Sequence, residues 1–349
     1  MIRIRRGTVI EARARHPGLV EATVEVEGAR ATALAYEGLT APLEPGDTVI
    51  LNTTAVALGL GTGGVHFVIA VEGKECGDRT PGHGMKVRYT PLQTAVDPVE
   101  GSHRDALDAV EDLDGLPVIA AGLHSALAPA AIGVRSVAPG ATIVVVLTDG
   151  GALPAAFSDT IPALRGAGLI ARTITAGQAF GGDLEAVSLP GALAAARAIA
   201  GADVVVVAMG PGNMGTGSRW GFASLEVAAV VNTAAAMGAR AIVAPRISGF
   251  DARPRHRGVS HHTITALSLM LARAEVALPP LGPDMDATVR EQLATIAARH
   301  DLVHVPVDDE SLRSAPVPLR SMGRGFEDDP DYFRAAAAAG VRAGMLLAR

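Results

Sequence analysis

From about residue 116 onward, continuous apolar runs alternate with alanine-rich stretches that have helical periodicity. Runs that are apolar throughout indicate strands buried on both faces, and such strands occur in parallel sheets covered by helices. The alternation therefore predicts an α/β domain with a doubly wound, mostly parallel sheet over residues 116–349. The predicted strands are 117–121, 142–147, 169–173, 203–208, 239–244, 275–278 and 302–305, and the predicted helices are 124–137, 155–167, 190–200, 220–237, 260–273 and 286–299.

Residues 1–95 have a different pattern, in which short alternating runs are separated by turn residues. Closely spaced strands without helical periodicity are typical of a small β-barrel or sandwich, which we expect for this domain. Residues 96–115 are an acidic connector to the α/β domain. The span 306–328 is predicted to be a long connection that forms either a lid or a strap. Asp329 and Pro330 start a last helix, since they suit its N-cap and first turn. The predicted barrel strands are 3–12, 19–26, 31–35, 48–52 and 65–71.

The composition excludes several classes of protein. The 349 residues are 49% hydrophobic and 19% charged, which is typical of a folded protein rather than a disordered one. Cys76 is the single cysteine, so a disulfide framework and a CxxC metal or redox site are excluded. The N-terminal residues alternate charged with apolar side chains, and no apolar run is long enough to span a bilayer. We therefore expect a cytoplasmic protein with no membrane partner.

Four segments of the chain resemble a bacterial family, the domain-of-unknown-function family 3866. The resemblance extends over essentially the whole chain, and it implies one complete family member. It supplies no reaction, substrate or catalytic residue that could be transferred to this chain. The segments are LNTTAVALGLGTGGVHFV (51–68), GHGMKVRYTPLQ (82–93), LTDGGALP (147–154) and MGPGNMGTGSRWGF (209–222).

The segment after the predicted strand 203–208 matches the pattern GxGxxG. The backbone N–H groups of such a loop, followed by a helix N-terminus, bind a phosphate or a carboxylate. The next strand ends in Pro245 and Arg246 instead of the acidic residue that would hold an adenosine ribose, so an ordinary dinucleotide site is not favoured. Tight turns with a purely structural role are the alternative. The candidate ligand-binding residues of this loop are Gly210, Gly212, Asn213, Gly215 and Thr216.

Three residues near strand ends and a helix start are candidates for acid–base catalysis. Asp149 follows the strand 142–147, where the crevice of an open α/β sheet usually lies. It could act as a general base or bind a divalent metal ion, or it could only form an Asp-Gly turn. His124 follows the strand 117–121, and His261 lies at the start of the helix 260–273.

Four arginines lie within the twelve residues 246–257, although the chain has a net charge of −6. Guanidinium groups suit phosphates and carboxylates, so Arg246 and Arg253 are candidate ligand-binding residues, with a solvated loop as the alternative. No basic stripe with interleaved aromatic residues accompanies them, so we expect no nucleic-acid partner. Adjacent residues on a helix point about 100° apart, so His261 and His262 are not expected to share a metal ion. No metal site is assigned, and which of the two histidines faces the crevice is left open.

Lysine and asparagine are scarce in this chain. Only Lys74 and Lys86 among the 30 basic residues are lysines, and there are three asparagines. Arginine can replace a solvated lysine at little cost, but it cannot replace an ammonium or a small amide in a tight site. Lys86, near the predicted domain boundary, and Asn52, at the end of the strand 48–52, are therefore candidate ligand-binding residues. A solvated linker and a turn are the alternatives.

These observations predict an enzyme, at the level of a transferase or hydrolase. Its ligand would be a small anionic or phosphorylated metabolite, bound at the carboxyl edge of the parallel sheet. The alternatives are a non-catalytic small-molecule sensor or regulatory module, and a structural or interaction protein. Alanine-rich helices suit close packing, and we expect a homo-oligomer. The cofactor is left unassigned.

Overall fold

Residues 2–61, 63–77 and 82–347 are described by a computed structural model. They divide into one unit within residues 1–97 and 156–162, and a second within residues 98–155 and 163–349. No helix among the described residues is both long enough and apolar enough to cross a membrane.

The first unit contains a closed five-stranded barrel and a short hairpin. Its elements are β1 (Ile4–His16), β2 (Leu19–Val26), β3 (Ala29–Tyr36), β4 (Thr48–Asn52), α1 (Thr54–Ala57), β5 (His66–Val71), β6 (Gly84–Lys86) and β7 (Thr94–Val96). β1 pairs with both β2 and β4, and β3 pairs in parallel with β5, which closes the barrel in the order β1-β2-β3-β5-β4. Because successive side chains alternate between the two faces of a strand, Val24 and Leu51 fill the interior. The prediction of a small β-barrel is confirmed.

The second unit is built around an eight-stranded parallel sheet, which confirms the predicted α/β class. Its strands are β8 (Pro117–Ala121), β9 (Ile143–Thr148), β10 (Arg172–Thr175), β11 (Leu184–Glu185), β12 (Val204–Met209), β13 (Arg240–Ala244), β16 (Glu275–Leu278) and β17 (Asp301–His304), with a separate ribbon of β14 (Ile247–Ser248) and β15 (Gly258–Val259). The helices are α2 (Val99–Ser102), α3 (Arg104–Asp108), α4 (Leu127–Val137), α6 (Leu189–Ala198), α7 (Glu226–Ala236), α8 (His261–Leu269), α9 (Pro283–Gln292), α10 (Asp309–Arg313) and α11 (Pro330–Leu347). The first three residues of α5 (Thr160–Gly166) belong to the first unit and the rest to the second.

The strand order creates a switch point in the middle of the sheet. The order is β11-β10-β9-β12-β8-β13-β16-β17. The chain leaves β8 in one direction, towards β9, and leaves β12 in the other direction, towards β13. The two connections therefore diverge, and a crevice forms at the carboxyl ends of neighbouring strands, where open α/β sheets bind ligands. One helix layer contains α4 packed on α11, and the other contains α6 packed on α7.

The strand expected at 169–173 and the helix expected at 220–237 both start later in the chain than the sequence pattern indicates. The strand expected at 169–173 is β10, because Leu169 and Ile170 instead bury their side chains in the turn after α5. The helix expected at 220–237 begins at Glu226, because residues 210–222 form a loop that is closed by a bridge between Gly215 and Phe222. Apolar composition therefore locates these segments but not their first residues.

The N-cap of α6 gives a stability prediction. The Oγ of Ser188 accepts a hydrogen bond from the backbone N–H of Gly191, which satisfies one N–H at the helix start. Ser188→Ala removes this acceptor and is expected to lower the free energy of unfolding by about 1 kcal/mol. Ser188→Asp keeps an acceptor at the same position and is expected to retain nearly all of the wild-type free energy of unfolding. Urea unfolding of the two variants checks both values, and equal losses would refute the capping role.

Candidate functional site

A cleft lies at the carboxyl ends of β8 and β13, and we call it the carboxyl-edge crevice. It narrows to a cavity of about 30 Å³, which has room for a water molecule or one small group of a ligand. The polar side chains of the crevice come from elements that are distant in sequence: the loop before α7, the segment after β13, the start of α8 and the start of α11. The residues that line it include Gly122, Ser224, Arg246, His262, Thr263 and Tyr332.

The segment between β13 and α8 folds back on itself beside this crevice. β14 and β15 pair antiparallel, and the buried side chains of Ile247 and Val259 anchor the ribbon in the core. The connection between them contains a 3₁₀ turn, Pro254–His256. The ribbon is only two residue pairs long, so the chain returns close to the end of β13 before α8 begins. His256 therefore lies next to the first turn of α8.

Three imidazole rings meet at this point: those of His256, His261 and His262, which we call the histidine cluster. The ring centroids are 4.3 to 5.0 Å apart, and one nitrogen atom of each ring lies within 4.8 Å of the others. The 100° offset between adjacent helix positions does not separate His261 from His262. Both belong to the first turn of α8, and Phe222 stacks on the His262 ring at 3.8 Å between centroids and directs it towards its neighbours.

All three imidazoles of the cluster are held in the neutral form. Burial lowers the pKa of His256 to about 3, and the charges of Arg246 and Arg253 act in the same direction. Burial likewise lowers the pKa of His262 to about 3, together with the neighbouring rings of the cluster. The pKa of His261 is also lowered, first by burial and then by nearby arginines. At physiological pH the cluster therefore presents nitrogen lone pairs rather than positive charge.

Serine hydroxyls orient two of these rings. The Nδ1 of His256 lies 2.7 Å from the Oγ of Ser260, the N-cap residue of α8. The Nδ1 of His262 lies 3.4 Å from the Oγ of Ser224. The side-chain amide of Asn213 donates to the same Oγ of Ser224 at 3.3 Å, and its Oδ1 accepts from the backbone N–H of Ser224. The scarce asparagine of the glycine-rich loop therefore acts on the site indirectly, through Ser224.

The glycines of that loop have a packing role. A Cβ atom at Gly210 would overlap the backbone oxygen of Ala152, and one at Gly151 would overlap that of Gly210. The loop does not run into a helix N-terminus, because α7 begins after Leu225 and starts with Glu226, whose carboxylate accepts from Thr148. The helix start that was expected to bind an anion therefore carries an acidic side chain. Among the other loop candidates, Gly212 has a left-handed backbone, Gly215 lies against His262, and the hydroxyl of Thr216 donates to the backbone oxygen of Gly221.

The arginine-rich segment is organised around one buried carboxylate, Asp251. Arg246 donates to its Oδ2 at 2.7 Å, and Arg253 donates to both of its oxygen atoms at 3.0 Å. Burial opposes ionisation of Asp251, but the hydrogen bonds from Arg253 and the charge of Arg246 hold its pKa far below the usual range. A third guanidinium, that of Arg324, lies 3.5 Å from the same carboxylate. We call these four residues the Asp251 cluster; Arg255, from the same segment, is exposed.

Asp149 and His124 lie outside the histidine cluster. Asp149 is exposed, and its carboxylate accepts from the backbone N–H of Gln178 at 3.0 Å, a contact that joins the loops after β9 and β10. The Nδ1 of His124 contacts the backbone oxygen of Met209 at 2.9 Å and so joins the ends of β8 and β12. Burial lowers the pKa of His124 to about 4, although this hydrogen bond opposes the shift. The structure thus brings His261, Arg246 and Arg253 into one region and places Asp149 and His124 elsewhere.

Lys86 and Asn52 belong to the first unit. Lys86 ends β6 and is buried. Asn52 ends β4, and its Oδ1 accepts from the backbone N–H of Thr54 at 3.1 Å, which is a turn-forming contact. Their roles as ligand-binding residues stay predictions.

Sequence reasoning missed four residues of the region: His256, Ser224, Asp251 and Tyr332. His256 and Asp251 lie within the arginine-rich segment, so a search of that segment for metal ligands and counter-ions could have found them. Ser224 and Tyr332 carry no local signal. Tyr332 reaches the crevice from α11, where its hydroxyl lies 2.6 Å from the Oγ of Ser125.

Comparison with known proteins gives a family and no close relative. A family model described as "Protein of unknown function (DUF3866)" matches residues 32–340, which is most of the chain. No curated protein and no solved structure matches the chain.

Proposed function

Because the chain belongs to the family DUF3866, whose description assigns no activity, we propose its function from the site itself. It is an enzyme that binds a small anionic metabolite in the carboxyl-edge crevice and acts on it at the level of a transferase or hydrolase. The observation that carries the proposal is the meeting, in one crevice, of a buried guanidinium and an uncharged imidazole, with two further imidazoles beside it. Arg246 and His262 both line the crevice, which lies beside the switch point of the sheet.

Arg246 is the anchor for the anion. Its side chain is about 10% exposed, and only one of its nitrogen atoms, Nη2, donates to Asp251. A guanidinium has five N–H donors in a planar fork, so the carboxylate of Asp251 leaves donors for a ligand. The charges of Arg253 and Arg324 around the same carboxylate make the region favourable for an anion.

The histidine cluster supplies the reactive groups. His124 is not among the residues that line the crevice, and its Nδ1 is engaged by the backbone oxygen of Met209. The cluster instead offers uncharged nitrogen atoms beside a cavity that accommodates a water molecule. Such atoms can activate a water or a substrate hydroxyl next to the bound anion. We therefore assign the chemistry to the histidine cluster rather than to Asp149.

Ligand-induced thermal stabilisation tests the proposal. The panel consists of inorganic phosphate, phosphomonoesters and small carboxylates. A ligand present at 100 times its Kd stabilises the native state by about 2.7 kcal/mol. In a domain of this size, each kcal/mol of added stability raises Tm by about 2–4 °C. Wild-type protein is expected to show this shift with at least one class of anion, and Arg246→Gln is expected to lose most of it.

Arg290→Gln is the control, because Arg290 is an exposed arginine of α9 and does not line the crevice, and it should leave the shift unchanged. An equal shift in Arg246→Gln and wild type would contradict the anchoring role. Binding without conversion of any compound of the panel would favour a sensor. The expectation of a homo-oligomer stays a prediction, which light scattering on the purified chain would check.

A further inference from the structure

We propose that the histidine cluster is a binding site for one divalent transition-metal ion of the zinc class. His256, His261 and His262 are the three protein ligands, and the remaining coordination position is open to water or an anion. The site stands on the geometry of the cluster alone. Its use in the reaction rests on the proposed function.

The hydrogen bonds of two rings indicate which nitrogen atoms bind the metal. The Nδ1 atoms of His256 and His262 face the hydroxyls of Ser260 and Ser224. Ser260 Oγ accepts from the backbone N–H of His262, and it has a second acceptor position for the Nδ1–H of His256. In the tautomer that carries its proton on Nδ1, each of these rings has its Nε2 lone pair left for a metal ion. Metal-binding histidines have this same arrangement, in which the second ring nitrogen donates to a neighbouring group and fixes the tautomer.

His261 contributes an independent observation. Its Nε2 is buried and has no hydrogen-bond partner among the residues that the structure describes. Buried polar atoms are almost always satisfied, and one that is not calls for an explanation such as a bound ion. One nitrogen atom from each of the three rings lies within 4.8 Å of the other two. A metal ion between the rings satisfies all three lone pairs at once.

The ligand set selects the class of metal. Imidazole nitrogens suit zinc, copper, iron and nickel, whereas calcium and magnesium take oxygen ligands. Three protein ligands with one open position are typical of catalytic rather than structural zinc sites. Zinc–nitrogen bonds of about 2.0–2.1 Å place tetrahedral ligand atoms about 3.3 Å apart. The rings therefore move together by about 1 Å when the metal binds, a shift that side-chain rotation at the end of a 3₁₀ turn and in a first helical turn can supply.

The charges around the cluster favour a metal that keeps an anion as its fourth ligand. Arg246, Arg253 and Arg255 all act on the histidines electrostatically, and Asp251 opposes them. A bare dication is disfavoured by this surplus of positive charge, and a metal with a bound hydroxide or phosphate oxygen is disfavoured much less. Arg246 lines the same crevice as His262, so an anion on the metal has a guanidinium within the same cleft.

Metal titration of the full chain tests the site. After treatment with a chelator and dialysis, zinc content by mass spectrometry and affinity by calorimetry are measured for wild type, His261→Gln, Ser224→Ala and His304→Ala. Wild type is expected to bind one zinc ion per chain. Loss of a ligand in His261→Gln should weaken binding by at least 100-fold, and loss of the orienting hydroxyl in Ser224→Ala by about 10–100-fold. His304, which is exposed and lies outside the cluster, serves as the control, and His304→Ala should bind like wild type.

Cobalt provides a readout that does not depend on the variants. Wild-type protein with cobalt(II) should develop the visible absorption bands of a four-coordinate ion, and phosphate should change them. The site is refuted if wild type binds zinc no more tightly than His261→Gln, or if cobalt stays six-coordinate and hydrated. If zinc binds and no anion of the panel stabilises the protein, the metal site stands and the proposed function fails. If anions stabilise the chelator-treated protein and zinc does not bind, the proposed function stands and the metal site fails.

Discussion

Asp251→Asn is expected to lower the free energy of unfolding by about 3–5 kcal/mol, because it breaks a buried ion pair and leaves the other charge without a counter-ion. The Asp251 side chain is about 3% exposed and that of Arg246 about 10%. Asparagine has nearly the same shape, so the loss reports on charge rather than on packing. Arg253 is more than a third exposed, and solvent screening makes its share of the effect small.

The same variant tests the anion site. In wild type, the carboxylate of Asp251 is the counter-ion that an incoming anion must share or displace. Without it, phosphate is expected to bind more tightly and so to stabilise Asp251→Asn by more than it stabilises wild type, because stabilisation at a given ligand concentration increases as Kd falls.

Asp286→Asn is the matched control, since Asp286 pairs with Arg290 on the exposed side of α9. That pair is expected to contribute no more than about 0.5 kcal/mol. Urea unfolding with and without phosphate gives all of these values. The described role of the carboxylate would be contradicted if the free energy of unfolding of Asp251→Asn lay within about 1 kcal/mol of the wild-type value. It would also be contradicted if phosphate stabilised this variant no more than it stabilises wild type.

Gly340→Ala is expected to lower the free energy of unfolding by about 3 kcal/mol. Gly340 lies on α11 where it crosses α4, and a Cβ atom there would overlap the backbone oxygen of Ala130. The reciprocal position, Gly133 on α4, would place its Cβ on the backbone oxygen of Ala337. Backbone atoms in two packed helices cannot move independently, so the helices must separate. Because α11 also carries Tyr332 at the crevice, the variant should weaken anion binding as well.

Gly166→Ala is the control for the helix propensity of alanine. Gly166 is the last residue of α5, and a Cβ atom there would meet nothing within 4 Å. The substitution is therefore expected to leave stability unchanged or to raise it by up to about 1 kcal/mol. Thermal and urea unfolding of both variants measure these changes in stability. A Gly340→Ala protein as stable as wild type would show that α4 and α11 are not in backbone contact.

The parallel sheet could be predicted from the sequence because its strands are buried on both faces. The residues that precede and follow Val118 and Val205 in their strands are also buried. The apolar runs are therefore continuous and easy to recognise. The start of β10 could not be placed, because the buried residues Leu169 and Ile170 precede the strand without belonging to it. A run of hydrophobic residues indicates burial but not where a strand begins, and the turn after α5 is as buried as the strand.

The candidate site could be predicted only in part. Arg246, Arg253 and His261 follow a buried strand or begin a helix, so the sequence places them at the carboxyl edge. The convergence of His256 with His261 and His262 could not be foreseen, because it depends on a ribbon of only two residue pairs, β14 and β15, which is too short to have a pattern. The helix geometry that argued against a shared metal ion ignores the freedom of side chains in a first helical turn.

The central claim is that an anion binds at Arg246 in the carboxyl-edge crevice, beside the histidine cluster. The most direct measurement is an anomalous difference map from crystals of the full chain soaked in tungstate, a heavy analogue of phosphate. We expect a tungsten peak within hydrogen-bond distance of the Arg246 guanidinium, on the side of the crevice that His262 lines. Tungsten peaks at exposed arginines such as Arg255, with none at Arg246, would contradict the account.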